Sequence, residues 1–287
     1  MKSAATLSVF EERHPERSAA ESKDPVAVSS VMLRNSSTSL RNDKVMLPPF
    51  SVVIPCFNEA ARIGETLRLT LDYLTVNAPE SELIVVNDGS TDETAAIARE
   101  RLKGAKIQTR LLENFPNRGK GAAVRSGLLA AQKPIGLFFD ADLSTPLGET
   151  PKLIEPIANG EIDIALGSRA LDRGLIGIHQ PWRREQAGRA FNLLVRLVTG
   201  LPFWDTQCGF KAFRLDVCRP ILEAARLDGF AFDVELLYLA QRAELRIREI
   251  PVRWNHAEGS KVQFFKDSLQ MLREVIALRA DYCAFGG

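Results

Sequence analysis

Two carboxylates one residue apart, Asp140 and Asp142, stand with Ala141 between them directly after the apolar run Ile135 to Phe139. Paired aspartates on a turn offer hard oxygen ligands. Mg²⁺ or Mn²⁺ typically takes one or two such carboxylates and fills its shell with substrate phosphates. A cation held in this way neutralises a departing diphosphate. Three other polar groups sit at comparable places. Pro55-Cys56-Phe57-Asn58-Glu59 follows Ser51 to Ile54, and Asn87-Asp88-Gly89-Ser90-Thr91-Asp92 follows Leu83 to Val86. Asn117-Arg118-Gly119-Lys120-Gly121 precedes a helical stretch. Each alone is ordinary turn and N-cap chemistry. Together they gather carboxylates, amides and cations at one edge of one sheet, which folding needs alone do not require. Residues 117–121 lack G-x-G-x-x-G, and no G-x-x-x-x-G-K-[ST] occurs, so hydride transfer and ATP hydrolysis lose their usual support.

The elements that must position these groups alternate. Ser51 to Ile54 reads as a buried strand, and Ala60 to Val76 as a helix with Ile63, Leu67, Leu71 and Leu74 on one face. Strands are expected over Leu83 to Val86, Ile107 to Leu112 and Ile135 to Phe139, with helices over Thr91 to Leu102 and Lys120 to Ala131. This order predicts an α/β fold, a mainly parallel, doubly wound, Rossmann-like sheet with helices on both faces. Ligands then bind beyond the carboxyl ends of the strands.

A further strand, Ile162 to Leu166, leads into Gly167-Ser168-Arg169. The helix predicted over Trp182 to Thr199 has Phe191, Leu194, Val195 and Val198 on its buried face and Glu185, Arg189, Asn192 and Arg196 on a polar stripe. With Arg183, Arg184 and Trp182 this makes a local basic surface suited to a phosphate at a membrane interface. A last helix, within 262–282, carries Phe264, Phe265, Leu269, Leu272, Val275 and Ile276 on a broad apolar face.

The net charge of +1 over 287 residues gives no global field toward nucleic acid, so any anion site must be built locally. Cys56, Cys208, Cys218 and Cys283 form no C-x-x-C pair, which argues against structural zinc and a disulfide framework and for a cytoplasmic setting. No run approaches the ~20 apolar residues of a membrane span, so membrane contact is expected to be peripheral at most. Residues 1–46 are rich in Ser, Arg, Glu and Asn and are expected to be a disordered tail, with 47–287 as the single folded domain.

The strand-end motifs, in their order and spacing over most of residues 50–265, resemble the family 2 glycosyltransferases of the GT-A fold. The resemblance implies that the first two motifs hold a nucleotide sugar and that the acidic turn binds the metal on its diphosphate. Asp205-Thr206-Gln207-Cys208-Gly209-Phe210-Lys211, Phe232-Asp233-Val234-Glu235-Leu236-Leu237 and Glu258-Gly259-Ser260-Lys261 are similar to the branch that loads one sugar onto polyprenyl or dolichyl phosphate, nearest the β-glucosyltransferases. Ser144 and Asn255 depart from the pattern of the related mannose synthases, which weakens a mannosyl assignment, and the resemblance to the β-glucosyltransferases implies glucose from UDP-glucose.

On this reading Asp140 and Asp142 hold Mg²⁺ or Mn²⁺, with Pro55, Asn58, Glu59, Asp88, Arg118, Lys120 and Ala141 around the nucleotide sugar. Arg169, Arg189, Ser260 and Lys261 place the acceptor phosphate. Asp142 and Arg169 are the expected catalytic groups. Asp205 is the base candidate if the acceptor is an alcohol. A nucleotidyltransferase is the rival class, but Pro55 to Glu59 is no Gly-rich phosphate loop. A third class, a non-catalytic sugar-nucleotide-binding regulator, is disfavoured by the intact aspartates.

Overall fold

The computed structural model describes residues 46–178, 180–256 and 264–284. The expected tail therefore lies outside the described residues except for Met46. The first half alternates as expected: β1 (Phe50–Cys56), α1 (Ile63–Asn77), β2 (Glu82–Asp88), α2 (Thr94–Leu102), β3 (Gln108–Asn114), α3 (Lys120–Ala130) and β4 (Ile135–Phe139). Then come α4 (Thr150–Ala158), β5 (Ile164–Ser168), β6 (Ile176–Ile178), α5 (Trp182–Thr199), β7 (Phe210–Arg214), α6 (Leu215–Ala224), α7 (Phe232–Arg242), β8 (Ile247–Pro251), β9 (Trp254–Asn255) and α8 (Phe264–Ala284). α2 begins three residues later than its periodicity suggests, because the Thr91 N–H donates to Asn58 Oδ1 (2.7 Å) rather than into a helix.

The main sheet runs β3-β2-β1-β4-β7-β5-β8, and a small parallel pair joins β6 to β9. The inner strands β2, β4 and β5 are fully buried because both faces of the sheet are covered there, whereas the edge strands β3 and β8 are partly exposed. Alternate side chains serve opposite cores. Val52, Ile54, Leu83, Val85, Leu137 and Phe139 join α1 and α4 on one face. Val53, Ile84, Val86 and Phe138 join α3, α6 and α7 on the other. Burying each such side chain contributes about 1.5–3 kcal/mol.

Two topological features position the site. The chain winds outward from β1 to β3 and then returns to place β4 on the other side of β1, so the switch point lies at the carboxyl ends of β1 and β4. β7 runs antiparallel between β4 and β5, with Phe139 opposite Phe210 and Leu166 opposite Lys211. That reversal brings the start of β7, and the Asp205–Gly209 segment before it, to the edge where β4 and β5 end.

A third core joins α5, α7 and α8 through Val195, Leu237, Met271, Val275 and Leu278. It corrects two helix faces. Leu194 is 38% exposed, while Val195 is buried and Phe191 and Val198 pack beside it, because the neighbouring helices cover only a narrow strip of α5. On α8, Leu269 and Ile276 face outward and Met271 and Leu278 face inward.

Candidate active site

The acidic turn leaves β4 at the switch point. Leu143 adopts φ +50°, its N–H donates to the Asp140 carbonyl (3.2 Å), and Asp142 Oδ1 accepts the Ser144 N–H (2.9 Å). From α1, the Thr66 hydroxyl donates to the Ala141 carbonyl (2.6 Å), tying the turn to the helix after β1. Phe139, Asp140, Asp142, Leu143, Ser144, Thr145, Gly209 and Trp254 line a pocket here. Gly209 is needed for this shape, since a Cβ on it would stand 2.0 Å from Asp140 Oδ2. Gly209→Ala should therefore rotate the Asp140 carboxylate away and lower kcat/KM by about a hundredfold, the scale of a misplaced reacting group, with little change in Tm. Steady-state rates beside a melting curve check this.

Among the described residues no group of three or more His, Cys, Asp or Glu side chains could enclose a metal. Two aspartates on an open pocket are instead an oxygen donor set with most of the coordination shell left to a ligand, which fits Mg²⁺ or Mn²⁺ bound with a diphosphate. Lys120 Nζ sits 2.7 Å from Asp140 Oδ1. Desolvation pulls its pKa down, but Asp140, Asp233 and Asp142 outweigh that and hold the ammonium above the ordinary lysine range.

The nucleotide-side residues form one organised loop cluster. Asp88 is buried, and its carboxylate accepts the Gly119 N–H (2.7 Å), the Arg118 N–H (3.2 Å), Asn117 Nδ2 (2.8 Å) and Asn114 Nδ2 (2.9 Å). These bonds shape the β3–α3 loop. Gly119, at φ +114°, and Gly121 let the loop close onto the carbonyl of Asp228, which accepts the Gly121 N–H (2.7 Å). Glu235 holds the far side of that contact by accepting the N–H groups of Arg226 (2.9 Å) and Leu227 (2.8 Å). Arg118 lies 3.4 Å from Asp228 and is half exposed. Pro55 is the one partly exposed residue of β1, Asn58 takes φ +55°, and Glu59 pairs with Arg62 (2.8 Å).

Behind the acidic turn is a buried ion pair that sequence reasoning did not bring together. Lys211 Nζ donates to Asp233 Oδ1 and to the Cys208 carbonyl, both at 2.6 Å. Asp233 thus pairs with a lysine, and Glu235 accepts the backbone amides of Arg226 and Leu227. Burial pushes the Asp233 carboxyl up, and Lys211 and Lys120 only partly offset it. Burial also pushes the thiols of Cys56, Cys208 and Cys218 up to about 12, which makes them packing groups.

Arg169 and Asp205, 36 residues apart, meet as a fork: Nε to Oδ2 and Nη2 to Oδ1, each 2.7 Å, with the Arg169 N–H also on Oδ2 (2.9 Å). Burial raises the Asp205 pKa, but Arg169 outweighs that and holds it below the ordinary carboxylate value. In this arrangement Asp205 anchors Arg169, an engagement that weakens a carboxylate as a base. The guanidinium lies 5.5 Å from the ring centre of Trp254, which lines the acidic pocket. Glu249 supports the same segment and was not singled out in the sequence. The polar stripe of α5 is only partly a basic surface. Asn192 anchors Trp204 and Thr206, Arg196 stacks on Trp204, and Arg189 pairs with Glu185 (3.0 Å). Ser260 and Lys261 lie outside the described residues. His256, also not singled out, packs its ring 6.1 Å from that of Trp254.

The sheet order, the acidic turn at the switch point and the loop cluster beside it define a GT-A-type, Rossmann-like α/β protein. The chain belongs to glycosyl transferase family 2, whose sequence model matches residues 51–221. It is 38% identical over 245 residues to the dolichyl-phosphate beta-glucosyltransferase of Drosophila melanogaster, covering 81% of this chain and 74% of that one. The Homo sapiens protein of the same name is 34% identical over 245 residues, covering 81% and 75%. Among solved structures, glucosyl-3-phosphoglycerate synthase from Mycobacterium tuberculosis, in complex with Mn²⁺, UDP and glucosyl-3-phosphoglycerate, shares the fold with a TM-score of 0.60. It is 24% identical and covers 82% of this chain and 80% of its own.

Proposed function

We propose that this chain transfers glucose from UDP-glucose to the phosphate of a polyprenyl or dolichyl lipid, inverting the anomeric carbon, with Mg²⁺ or Mn²⁺ at Asp140 and Asp142. The relatives' names support the donor sugar and the acceptor. The observation that carries the acceptor reading is the Arg169–Asp205 fork beside the acidic pocket. Two of the five guanidinium N–H groups go to Asp205, and the others meet no acceptor among the described residues. They suit an anion. A phosphate monoester, with a second pKa near ~6, is already largely ionised at neutral pH and needs no base. Arg169 would orient it for attack on the anomeric carbon as the bond from that carbon to the diphosphate breaks.

On the donor side, Asn58 and Glu59, with the loop that Asp88 shapes, would seat the nucleotide, and Arg118 and Lys120 would stand near its phosphates. The cation, when bound, supplies charge neutralisation to the leaving diphosphate. Arg189, Ser260 and Lys261 are assigned to the acceptor side with Arg169.

The test is radiolabelled UDP-glucose with Mg²⁺ or Mn²⁺ and either polyprenyl phosphate or a hydroxyl acceptor. Transfer to the lipid phosphate is expected; transfer confined to the hydroxyl compound would refute the assignment. That second reading has one point in its favour, since the ring of His256, a residue type suited to general-base work, lies 6.1 Å from that of Trp254, which lines the pocket.

We further place the protein peripherally on the cytoplasmic face of a membrane. No described helix is long and apolar enough to cross one. The neighbouring helices α5 and α8 expose Leu193, Leu197, Leu269 and Ile276, and Trp182 and Trp204 are also exposed, a composition that suits interfacial contact. Flotation with liposomes is the check, and activity on lipid phosphate without any binding would remove this element.

A further inference from the structure

We infer that Glu249, on β8, is a positioning residue for the acceptor phosphate and acts through Arg169; this rests on the acceptor reading above. Glu249 pairs with Leu166 across the β5–β8 ladder, two residues before the end of β5. One of its carboxylate oxygens accepts the Ser168 hydroxyl (2.6 Å) and the Asp205 N–H (2.8 Å). The other accepts the Trp204 N–H (2.9 Å). The Ser168 hydroxyl oxygen in turn accepts the N–H groups of Ala170 (3.2 Å) and Leu171 (3.3 Å).

Arg169 is thus bounded on both sides by one carboxylate. The residue before it, the two residues after it and the backbone of its own ion-pair partner all hang, directly or through Ser168, on Glu249. Only an acceptor-only group meets three converging donors at once. A glutamine has one carbonyl oxygen, and its NH₂ would face an N–H. The charge matters as well, because hydrogen bonds to an ionised acceptor are shorter and stronger than neutral ones. The fork of Arg169 and Asp205 holds the guanidinium 5.5 Å from the ring centre of Trp254, which lines the pocket, and Glu249 fixes the backbone that carries both members of the fork. Nothing in Ile247 to Pro251 marks this role in the sequence.

The experiment is a double-mutant cycle on full-length protein, with Glu249→Gln, Arg169→Lys and the pair, assayed with polyprenyl phosphate and UDP-glucose. Glu249→Gln should raise KM for the lipid phosphate or lower kcat/KM by about tenfold, the scale of losing a hydrogen bond to a charged group. Binding of UDP with Mn²⁺, read by calorimetry, should be unchanged. In the Arg169→Lys background the same substitution should cost little more, because its effect passes through the guanidinium. Ser168→Ala removes one arm of the network and should act in the same direction but less, which keeps the test open if Glu249→Gln fails to fold. Wild-type kinetics in Glu249→Gln, or losses that simply add in the pair, would overturn the inference. A wild-type protein that ignores polyprenyl phosphate would instead overturn the acceptor assignment, and the Glu249–Arg169 coupling would then be read with the acceptor it does use.

Discussion

Asp142→Ala is expected to lower kcat by about a thousandfold, roughly 4 kcal/mol of transition-state stabilisation, which is the scale of removing one preorganised electrostatic group from a transfer site. The reasoning is local. Asp142 is one of only two carboxylates on the acidic turn, and the other, Asp140, already shares an oxygen with Lys120 at 2.7 Å. Without Asp142 the remaining aspartate would hold a divalent cation against a competing ammonium, and the leaving diphosphate would lose most of its charge compensation. The fold should survive. Asp142 is only partly buried, and among the described residues its one internal hydrogen bond, from the Ser144 N–H, is a turn contact. Initial rates at saturating Mn²⁺, set beside the metal-dependent part of UDP binding, test this. Near-normal turnover with metal dependence intact would remove Asp142 from the site.

The second large effect is on stability. Lys211→Ala should destabilise the protein by about 3–5 kcal/mol, the cost of removing one partner of a buried ion pair and leaving the other charge uncompensated. Lys211 is 1% exposed, and the Cys208 carbonyl loses its donor together with Asp233. The deficit should depend on pH with a definite sign. The Asp233 pKa is already raised in the fold, and losing Lys211 raises it further, so the folded variant binds a proton more readily than the unfolded chain. Between the ordinary aspartate value and that raised value, its stability falls as pH rises. The deficit measured by urea unfolding should therefore be smaller at about pH 5 than at about pH 8. Lys211→Met with Asp233→Asn should recover part of it, because no unpaired charge then remains. A deficit independent of pH would mean that packing, and not the charge of Asp233, sets the cost.

These two predictions differ in how far they could be read without coordinates. The acidic turn is visible because both of its causes are local. Ile135 to Phe139 is a short apolar run that must become a buried strand, and two aspartates directly after such a run must sit at its carboxyl end. The same reasoning places Asn58, Asp88 and Lys120. What it cannot show is what each side chain does on arrival. Asp88 has the right place for a nucleotide contact, yet its oxygens are taken by the backbone of 118–119 and by two asparagines. A turn that lies next in space but 26 to 31 residues away in the chain leaves no periodic trace at Asp88.

The helix faces were legible only in part, for a related reason. Periodicity names the apolar stripe of α5, but the width that is buried depends on how much of it α7 and α8 cover. Val195 is fully buried and Leu197 is 70% exposed.

The amino-acid sequence by itself determined the alternation of strands and helices through β4 and the collection of acidic and basic groups at one sheet edge. It also determined the resemblance that led to family 2. Those follow from spacing along the chain, where hydrophobic period and turn chemistry act over a few residues. The tertiary structure alone decided that β7 runs antiparallel beside β4. From that reversal follow the seat of Gly209 against Asp140, the fork of Arg169 with Asp205, the pairing of Lys211 with Asp233 and the support from Glu249. Charges choose partners by distance in space, and only the sheet order sets that distance.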